Sequence, residues 1–236
     1  MAQLFETTPD TVLAIYAHPD DPDVSCGGSL ARWSRDGAEV HVVLCTNGDK
    51  GTDDPAVEPE ELARRRAGEC DEAAQRLGLT SRQVLGYRDG ELTDDEVLRG
   101  ELVGLIRKLR PALVLCPDPT AVFFGEQYFN HRDHRVVGFA VLDAMAPAAA
   151  LPLYFPEAGP VHQVETALLS GTLEPTVWVD VTATIEEKEA AVCCHRSQFA
   201  GDAEWAARAV RTRAAEDGRR AGVPFAEGFR RLRLGA

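Results

Sequence analysis

Short apolar runs alternate with helix-forming segments through the first half of the chain, and this alternation constrains the fold more than any other feature. The runs at 11–17, 39–45, 82–87 and 112–116 predict strands, and the segments at 29–35, 60–77 and 94–110 predict helices. The spacers are too long for hairpins, so the strands are expected to be parallel βαβ units. We therefore predict an α/β fold: a Rossmann-like, doubly wound, mostly parallel sheet flanked by helices, with its first four strands in the order 3-2-1-4.

The second half of the chain has a weaker pattern. Residues 133–145, 182–194 and 204–213 have helical character, while the Pro-rich stretch 147–180 is irregular apart from an edge strand expected at 176–180. No internal repeat or clear linker interrupts the chain, so we predict a single domain over residues 1–236.

Charge and composition restrict the expected partners and location. Lys and Arg total 25 against 38 Asp and Glu, a net charge of −13, which disfavours nucleic acid and anionic membrane surfaces as partners. No apolar run approaches the roughly 20 residues that span a bilayer. The first ten residues have neither a basic nor an apolar signal region, which predicts a cytoplasmic protein. The six cysteines lack paired metal-site spacing and are expected to be small, mostly buried side chains.

Two polar loops combine histidine with aspartate at short spacing. Residues 17–21 read Ala-His-Pro-Asp-Asp directly after the first predicted strand, and residues 130–134 read Asn-His-Arg-Asp-His beyond the fourth. In a sheet of order 3-2-1-4 these two strands are neighbours, and their carboxyl ends flank the crevice where ligands bind. We therefore expect both loops to lie in one cleft.

Histidine and aspartate together are typical ligands of a catalytic zinc ion, which takes three protein ligands and leaves a position for water. The three could be His18, one of the two adjacent aspartates and one histidine of the second loop, with the remaining aspartate and histidine acting as base and acid. A simpler alternative stays open for each loop. Asp20 and Asp21 could cap the next helix, and His131 and His134 could form a solvated first turn.

The same residues resemble the LmbE-like (PIG-L) superfamily of metal-dependent deacetylases. Residues 17–21 match its Ala/Pro-His-Pro-Asp-Asp box, and residues 131–134 match its His-x-Asp-His box. Weaker similarities cover most of the chain and lie at 27–28, 46–51, 66–69, 87–90, 188, 195–198 and 227–229. Pro22 departs from the pattern, because many members have Glu after the Asp-Asp pair.

The resemblance implies an LmbE-like fold and a hydrolase that uses Zn²⁺, or another divalent metal, to remove an N-acetyl group from an amino sugar or glycoconjugate. By position it implies the metal ligands His18, Asp21 and His134. It also implies Asp20 as general base and His131 as acid or oxyanion stabiliser. Asp133 is expected to orient one of the flanking imidazoles.

Three further residues are candidate substrate contacts. Arg66 and Asp89 could bind sugar hydroxyls or phosphate, or could instead form surface ion pairs. Tyr128 belongs to an aromatic group with Phe123, Phe124 and Phe129, and these rings could form a cavity wall or pack as core. The expected partner is a small N-acetyl sugar or glycoconjugate, and whether the chain forms a homo-oligomer stays open.

Other functions fit the sequence less well or cannot be separated from this one. A dinucleotide-binding module is disfavoured because the turn after the first strand lacks the Gly-x-Gly-x-x-Gly pattern. An inactive relative is disfavoured because every residue of both boxes is present. A metal-dependent amidase that acts on a thiol conjugate or another small amide remains the alternative, since leaving-group recognition depends on variable loops.

Overall fold

The fold is built on a seven-stranded sheet, which the computed structural model describes through residues 3–126, 128–199 and 203–235. The strands are β1 Thr11–Tyr16, β2 Glu39–Thr46, β3 Ser81–Tyr87, β4 Leu113–Pro117, β5 Phe123–Phe124, β6 Tyr128–Phe129, β7 Thr166–Ser170, β8 Val177–Asp180 and β9 Ala226–Arg233. The helices are α1 Asp21–Arg35, α2 Pro59–Leu77, α3 Glu96–Leu109, α4 Arg132–Asp143, α5 Ile185–Val192, α6 Arg196–Phe199 and α7 Ala203–Ala221.

The order of the large sheet is β3-β2-β1-β4-β7-β9-β8, which confirms the predicted fold class and the predicted order of the first four strands. Strands β1, β2, β3, β4 and β7 are parallel, and β9 runs antiparallel to both β7 and β8. Strands β5 and β6 form a separate antiparallel ribbon. That the whole chain is one domain stays a prediction.

Each face of the sheet carries its own hydrophobic core. Along β1, Val12, Ala14 and Tyr16 join one core, while Leu13 and Ile15 join the other. This is the two-residue period of a strand that is buried on both faces, as parallel strands usually are. The carboxyl end of β1, which leads into the first polar loop, is therefore packed against a hydrophobic core on each face of the sheet.

The structure differs from the sequence prediction most clearly at α1. The helix begins at Asp21 rather than at 29, so it includes Gly27 and Gly28, which precede the predicted helix. Gly28 serves a close approach: a Cβ there would lie 2.8 Å from the Cβ of Val181, just beyond β8. The helix bends at Cys26, whose φ is −145°.

Two strands of the sheet were not predicted, and one helix is longer than expected. Strand β7 lies inside the Pro-rich stretch 147–180, for which the sequence predicts mostly irregular structure. Strand β9 contains four charged residues among its eight. Helix α7 continues to Ala221, past the predicted end at 213. The expected edge strand is present as β8.

The cysteines and helices agree with two simpler expectations. All six cysteines are free, and five of them are buried. No helix within the described part of the chain has the length and apolarity to cross a membrane.

Candidate metal centre

The two polar loops meet although they are far apart in the sequence. His18 lies just beyond β1, and His134 lies in the first turn of α4. Their ring nitrogens, His18 Nδ1 and His134 Nε2, are 3.1 Å apart across a separation of 116 positions. The parallel pairing of β1 with β4 produces this meeting, because both loops follow the carboxyl ends of adjacent strands.

Asp21 completes a triangle of possible metal ligands with these histidines. Its Oδ2 lies 3.3 Å from His18 Nδ1, and its Oδ1 lies 3.1 Å from His134 Nε2. The main-chain N–H of His18 donates to Oδ2 at 2.7 Å and holds the carboxylate in place. The two imidazoles thus face different oxygens of Asp21, and each separation is similar to the roughly 3.3 Å that tetrahedral zinc with bonds of about 2.0–2.1 Å keeps between its ligands.

Two other groupings of donors overlap this triangle. His18, His131 and His134 have donor atoms within 4.8 Å of one another, and so do His18, Asp89, His131 and Asp133. The Asp21 triangle adds a negative charge close to both imidazoles, which balances part of the charge of a divalent cation. That His18, Asp21 and His134 are the metal ligands stays a prediction.

The second nitrogen of each of these two imidazoles faces an oxygen atom. His18 Nε2 lies 3.1 Å from Asp89 Oδ1 and 3.6 Å from Asp133 Oδ2, and His134 Nδ1 lies 2.9 Å from Asn130 Oδ1. Such contacts fix the tautomer and orientation of a metal-binding histidine. The sequence prediction did not include Asn130 as a site residue, although it directly precedes the second box.

Asp133 is the most deeply enclosed carboxylate of this group. It is 0% exposed, and its Oδ2 accepts the main-chain N–H of Gly90 at 2.6 Å. Gly90 belongs to the loop after β3, so this bond ties that loop to α4. Its Oδ2 also lies 3.6 Å from His18 Nε2, and its role in orienting that imidazole stays a prediction.

The carboxylates make the site favourable for positive charge. Burial lowers the pKa of His18, but Asp21, Asp133 and Asp89 outweigh that effect and raise the pKa to about 12. His134 shows the same balance: burial lowers its pKa, and Asp21 turns the net shift upward. Without an ion, the site therefore retains protons that a metal has to displace.

Asp20 is held by a buried arginine. Its Oδ1 accepts from Arg66 Nη2 at 2.8 Å, and Arg66 Nη1 donates to the carbonyl of Gly48 at 3.0 Å. Arg66 is 2% exposed and lies within α2, so its guanidinium faces Asp20 rather than the surface. Asp20 makes no side-chain cap to α1, which leaves its second oxygen for another role.

The backbone of the loop after β2 lies against Arg66. Gly48 has φ of +66°, which favours glycine, and a Cβ on it would lie 2.5 Å from Arg66 Nη1, so a side chain there would displace the guanidinium. A Cβ on Gly51 would also lie 2.5 Å from that nitrogen. The loop at 46–51, which resembles the family pattern, thus packs over the side chain of Arg66.

His131 lies beside the triangle at the start of α4. Its ring is edge-on to that of His18, with centroids 4.8 Å apart, and its Nδ1 accepts the N–H of Asp133 at 3.3 Å. Burial and the neighbouring His18 lower the pKa of His131, in contrast to the two ligand histidines. The ring is therefore positioned by the helix start and keeps Nε2 for other contacts.

A cavity of about 350 Å³ adjoins the triangle. Asp20, Asp21 and His134 form part of its wall, and Phe124 and Tyr128 of the β5–β6 ribbon form another part. Of the candidate substrate contacts, Tyr128 thus borders the cavity and is 51% exposed. Asp89 is bonded to Nε2 of His18, so it lies on the opposite side of that imidazole from His134, which faces Nδ1.

Comparison with known proteins identifies the family. The family model PIG-L, described as GlcNAc-PI de-N-acetylase, matches residues 13–145 and includes both boxes. The diacetylchitobiose deacetylase of Thermococcus kodakarensis is 36% identical over 224 residues, covering 93% of this chain and 82% of the relative.

A second relative and a solved structure extend the comparison. The 1D-myo-inositol 2-acetamido-2-deoxy-alpha-D-glucopyranoside deacetylase 2 of Saccharopolyspora erythraea is 34% identical, over 62% of this chain and 60% of its own length. The structure of N,N'-diacetylchitobiose deacetylase from Pyrococcus horikoshii, with its inhibitor MPG, superposes with a TM-score of 0.87 at 34% identity. The superposition covers 95% of this chain and 84% of that chain. The resemblance stated from the sequence is thus confirmed.

Proposed function

This chain belongs to the PIG-L (LmbE-like) family, and from that premise we propose that it is a Zn²⁺-dependent deacetylase of N-acetylglucosamine-type sugars or glycoconjugates. The observation that carries the proposal is the meeting of His18, Asp21 and His134: the two ring nitrogens are 3.1 Å apart, and each lies 3.1–3.3 Å from one of the two Asp21 oxygens. The relatives that support the substrate class are named as deacetylases of diacetylchitobiose and of an inositol-linked acetamido sugar.

Zinc is the ion that this donor set favours. Two imidazole nitrogens and one carboxylate oxygen are a common ligand set of catalytic zinc sites with an open position. When bound, the ion supplies a Lewis acid for the amide carbonyl and lowers the pKa of a water from 15.7 to about 7.

Asp20 is the proposed general base. Arg66 occupies its Oδ1, so the other carboxylate oxygen can accept a proton from the water that attacks the acetyl carbonyl. The same proton can then be delivered to the amide nitrogen as the carbon–nitrogen bond breaks. The products balance the reactants: the acyl group leaves as acetate, and the sugar retains a free amine.

His131 is the proposed stabiliser of the developing negative charge on the carbonyl oxygen. It stands beside His18, and its Nδ1 is used by the N–H of Asp133, which directs the Nε2–H toward other groups. A positioned donor of this kind contributes about 3–4 kcal/mol to the transition state where it has been measured. Asp133 orients His18, and Asp89 is placed to share its free oxygen with a sugar hydroxyl.

The experiment is acetate release from a panel of N-acetylated sugars and conjugates, with metal-loaded protein and with protein stripped by a chelator. We expect release that depends on metal, and a fall of about 10²–10⁴-fold in kcat for Asp20→Asn with its metal content unchanged. Asp53→Asn, on the exposed part of the loop after β2, is the matched control. Equal rates with and without metal, or an Asp20→Asn variant of full activity, would contradict the proposal.

A further inference from the structure

The short helix α6 is bonded to both of the helices that border the metal centre. His195, which directly precedes α6, is 0% exposed, and its Nε2 lies 2.5 Å from Asp23 Oδ2 in α1. Ser197 donates its main-chain N–H to Glu69 Oε1 at 2.8 Å and its hydroxyl to Glu69 Oε2 at 2.6 Å. Because Glu69 lies in α2 and is buried, water competes little for these bonds. Helix α6 is therefore a fixed base from which its next residue, Gln198, extends.

Gln198 holds the far end of the loop at 46–51. Its Nε2 donates to the carbonyl of Gly51 at 2.9 Å, although the two residues are 147 positions apart. The contact is close, because a Cβ on Gly51 would lie 3.0 Å from Gln198 Oε1. A second contact at this end, the ion pair of Lys50 with Glu91, joins two exposed side chains and contributes little. Gln198 is half-buried and is the better shielded of the two anchors.

The loop at 46–51 in turn bonds to two side chains of the site. The Gly48 carbonyl accepts from Arg66 Nη1 at 3.0 Å, and Arg66 Nη2 donates to Asp20 Oδ1 at 2.8 Å. Asp49 Oδ1 accepts the main-chain N–H of Asp89 at 3.0 Å, and Asp89 is itself bonded to an imidazole of the triangle. A shift of the loop therefore disturbs both the support of Asp20 and the position of Asp89.

We propose that Gln198 is a positioning residue for turnover, which acts through the loop at 46–51 to keep Arg66 and Asp20 in place. The inference rests on the proposed deacetylase function, in which Asp20 is the general base. It adds a residue of the C-terminal part of the chain whose hydrogen bond goes to Gly51 rather than to the triangle or to Asp20.

The first test is Gln198→Leu in the metal-loaded protein, because leucine keeps most of the volume and removes the donor to Gly51. A catalytic group displaced by about 1 Å can lose about 10²-fold, and a loop released at one end should cost less. We therefore expect kcat to fall about 5- to 20-fold while KM changes less than about twofold. Unchanged kcat overturns the proposal, and so does a raised KM at unchanged kcat, which would mean that Gln198 contacts the substrate.

Arg196→Gln is the matched control for this variant. Arg196 is the neighbour of Ser197 in the same short helix, but its side chain is exposed and pairs with Glu72 on the surface. It should leave both kcat and KM unchanged. A fall in kcat as large as that of Gln198→Leu would show that any change in α6 suffices, and it would overturn the specific role of Gln198.

Combination with Arg66→Met shows whether Gln198 acts through Arg66. In Arg66→Met the bond to the Gly48 carbonyl is already lost, so adding Gln198→Leu should lower kcat by less than about a further twofold. Two independent effects would instead multiply in full, and that result overturns the proposal.

Amide hydrogen exchange separates this inference from the proposed function, because it needs no turnover. In Gln198→Leu the amides of the loop at 46–51 should exchange about tenfold faster, while those of β1 and β4 keep their protection. Unchanged exchange in the loop, or equal acceleration in β1 and β4, overturns the positioning proposal. Absence of acetate release from every substrate by the unaltered protein overturns the deacetylase proposal instead.

Discussion

Replacing Arg66 by methionine separates two roles for this residue, substrate contact and support of Asp20. Methionine keeps a similar length and apolar character within α2 but removes the donors to Asp20 and to the Gly48 carbonyl. Because Arg66 is 2% exposed, solvent cannot replace these bonds without opening the loop after β2. We expect a loss of stability together with a loss of turnover.

The size of the effect follows from the contact. Two charges 2.8 Å apart attract by about 6 kcal/mol at an effective dielectric constant of about 20, before the cost of desolvation is subtracted. Removing one partner of a buried pair costs about 3–5 kcal/mol, and the side chain of Asp20 is 21% exposed, so the lower end applies. A loss of about 3 kcal/mol lowers Tm by about 6–12 °C in a chain of this size.

Urea and thermal unfolding of the metal-loaded variant measure the loss of stability. Steady-state kinetics decide whether Arg66 supports Asp20 or contacts the substrate. Misplacement of Asp20 by about 1 Å should lower kcat by about 10²-fold while KM changes little. Arg65→Met is the control, because Arg65 is an exposed neighbour paired with Glu61 on the helix surface and should cost less than about 1 kcal/mol. Arg66→Lys keeps the charge and should restore part of the activity. A raised KM at unchanged kcat and unchanged stability would instead show that Arg66 contacts the substrate.

Metal content, proton release and helix packing provide three further checks. His134→Gln should lose most of its zinc on dialysis, as measured by elemental analysis, whereas His162→Gln, whose ring bonds to a carbonyl outside the site, should retain it. The pKa of His18 near 12 lies above its unfolded value of 6.5, and the pKa of His134 is also raised, so the metal-free site holds at least one proton at pH 7 and zinc should release at least one proton per ion. Calorimetry in buffers of different ionisation enthalpy measures that release, and a heat independent of buffer would refute it. Gly28→Ala should cost about 1–3 kcal/mol in urea unfolding because its Cβ meets Val181. Gly104→Ala, with no described atom within 4 Å of the added Cβ, should instead gain up to about 1 kcal/mol.

The parts of this fold that the sequence predicts are those in which burial and periodicity agree. Strands β1, β2 and β4 are mostly apolar runs between helix-stop signals, and the mixed β3 follows the same alternation with helices, so their class and order follow from short-range patterns. The meeting of the two boxes follows in turn from that order. These inferences need no knowledge of distant contacts, because each βαβ unit imposes its own handedness.

The parts that the sequence does not predict depend on partners far along the chain. Strand β9 reads as a charged segment, and it becomes a strand because β7 and β8 pair with its two edges. Arg66 illustrates the same limit at the site. An arginine in a polar helix suggests a surface or a ligand contact, and only the closure of the 46–51 loop over it explains its burial beside Asp20.

The geometry of the metal centre depends on residues well outside the boxes that identify it. Asp21 is the first residue of α1, and Asp23 in the same turn is bonded to the buried His195 at 2.5 Å. Beyond the bend at Cys26, Glu227 of β9 accepts the N–H groups of Gly28 and Ser29.

Lys188 of α5 compensates the charge of Glu227 at 2.5 Å, and both side chains are 4% exposed. The family match ends at residue 145, yet these anchors lie between 188 and 227. A buried carboxylate that accepts helix N–H groups and carries a counter-charge is costly to displace, so it fixes α1 against β9. The position of Asp21 relative to His134 is therefore set by the C-terminal third of the chain as much as by the two sequence boxes.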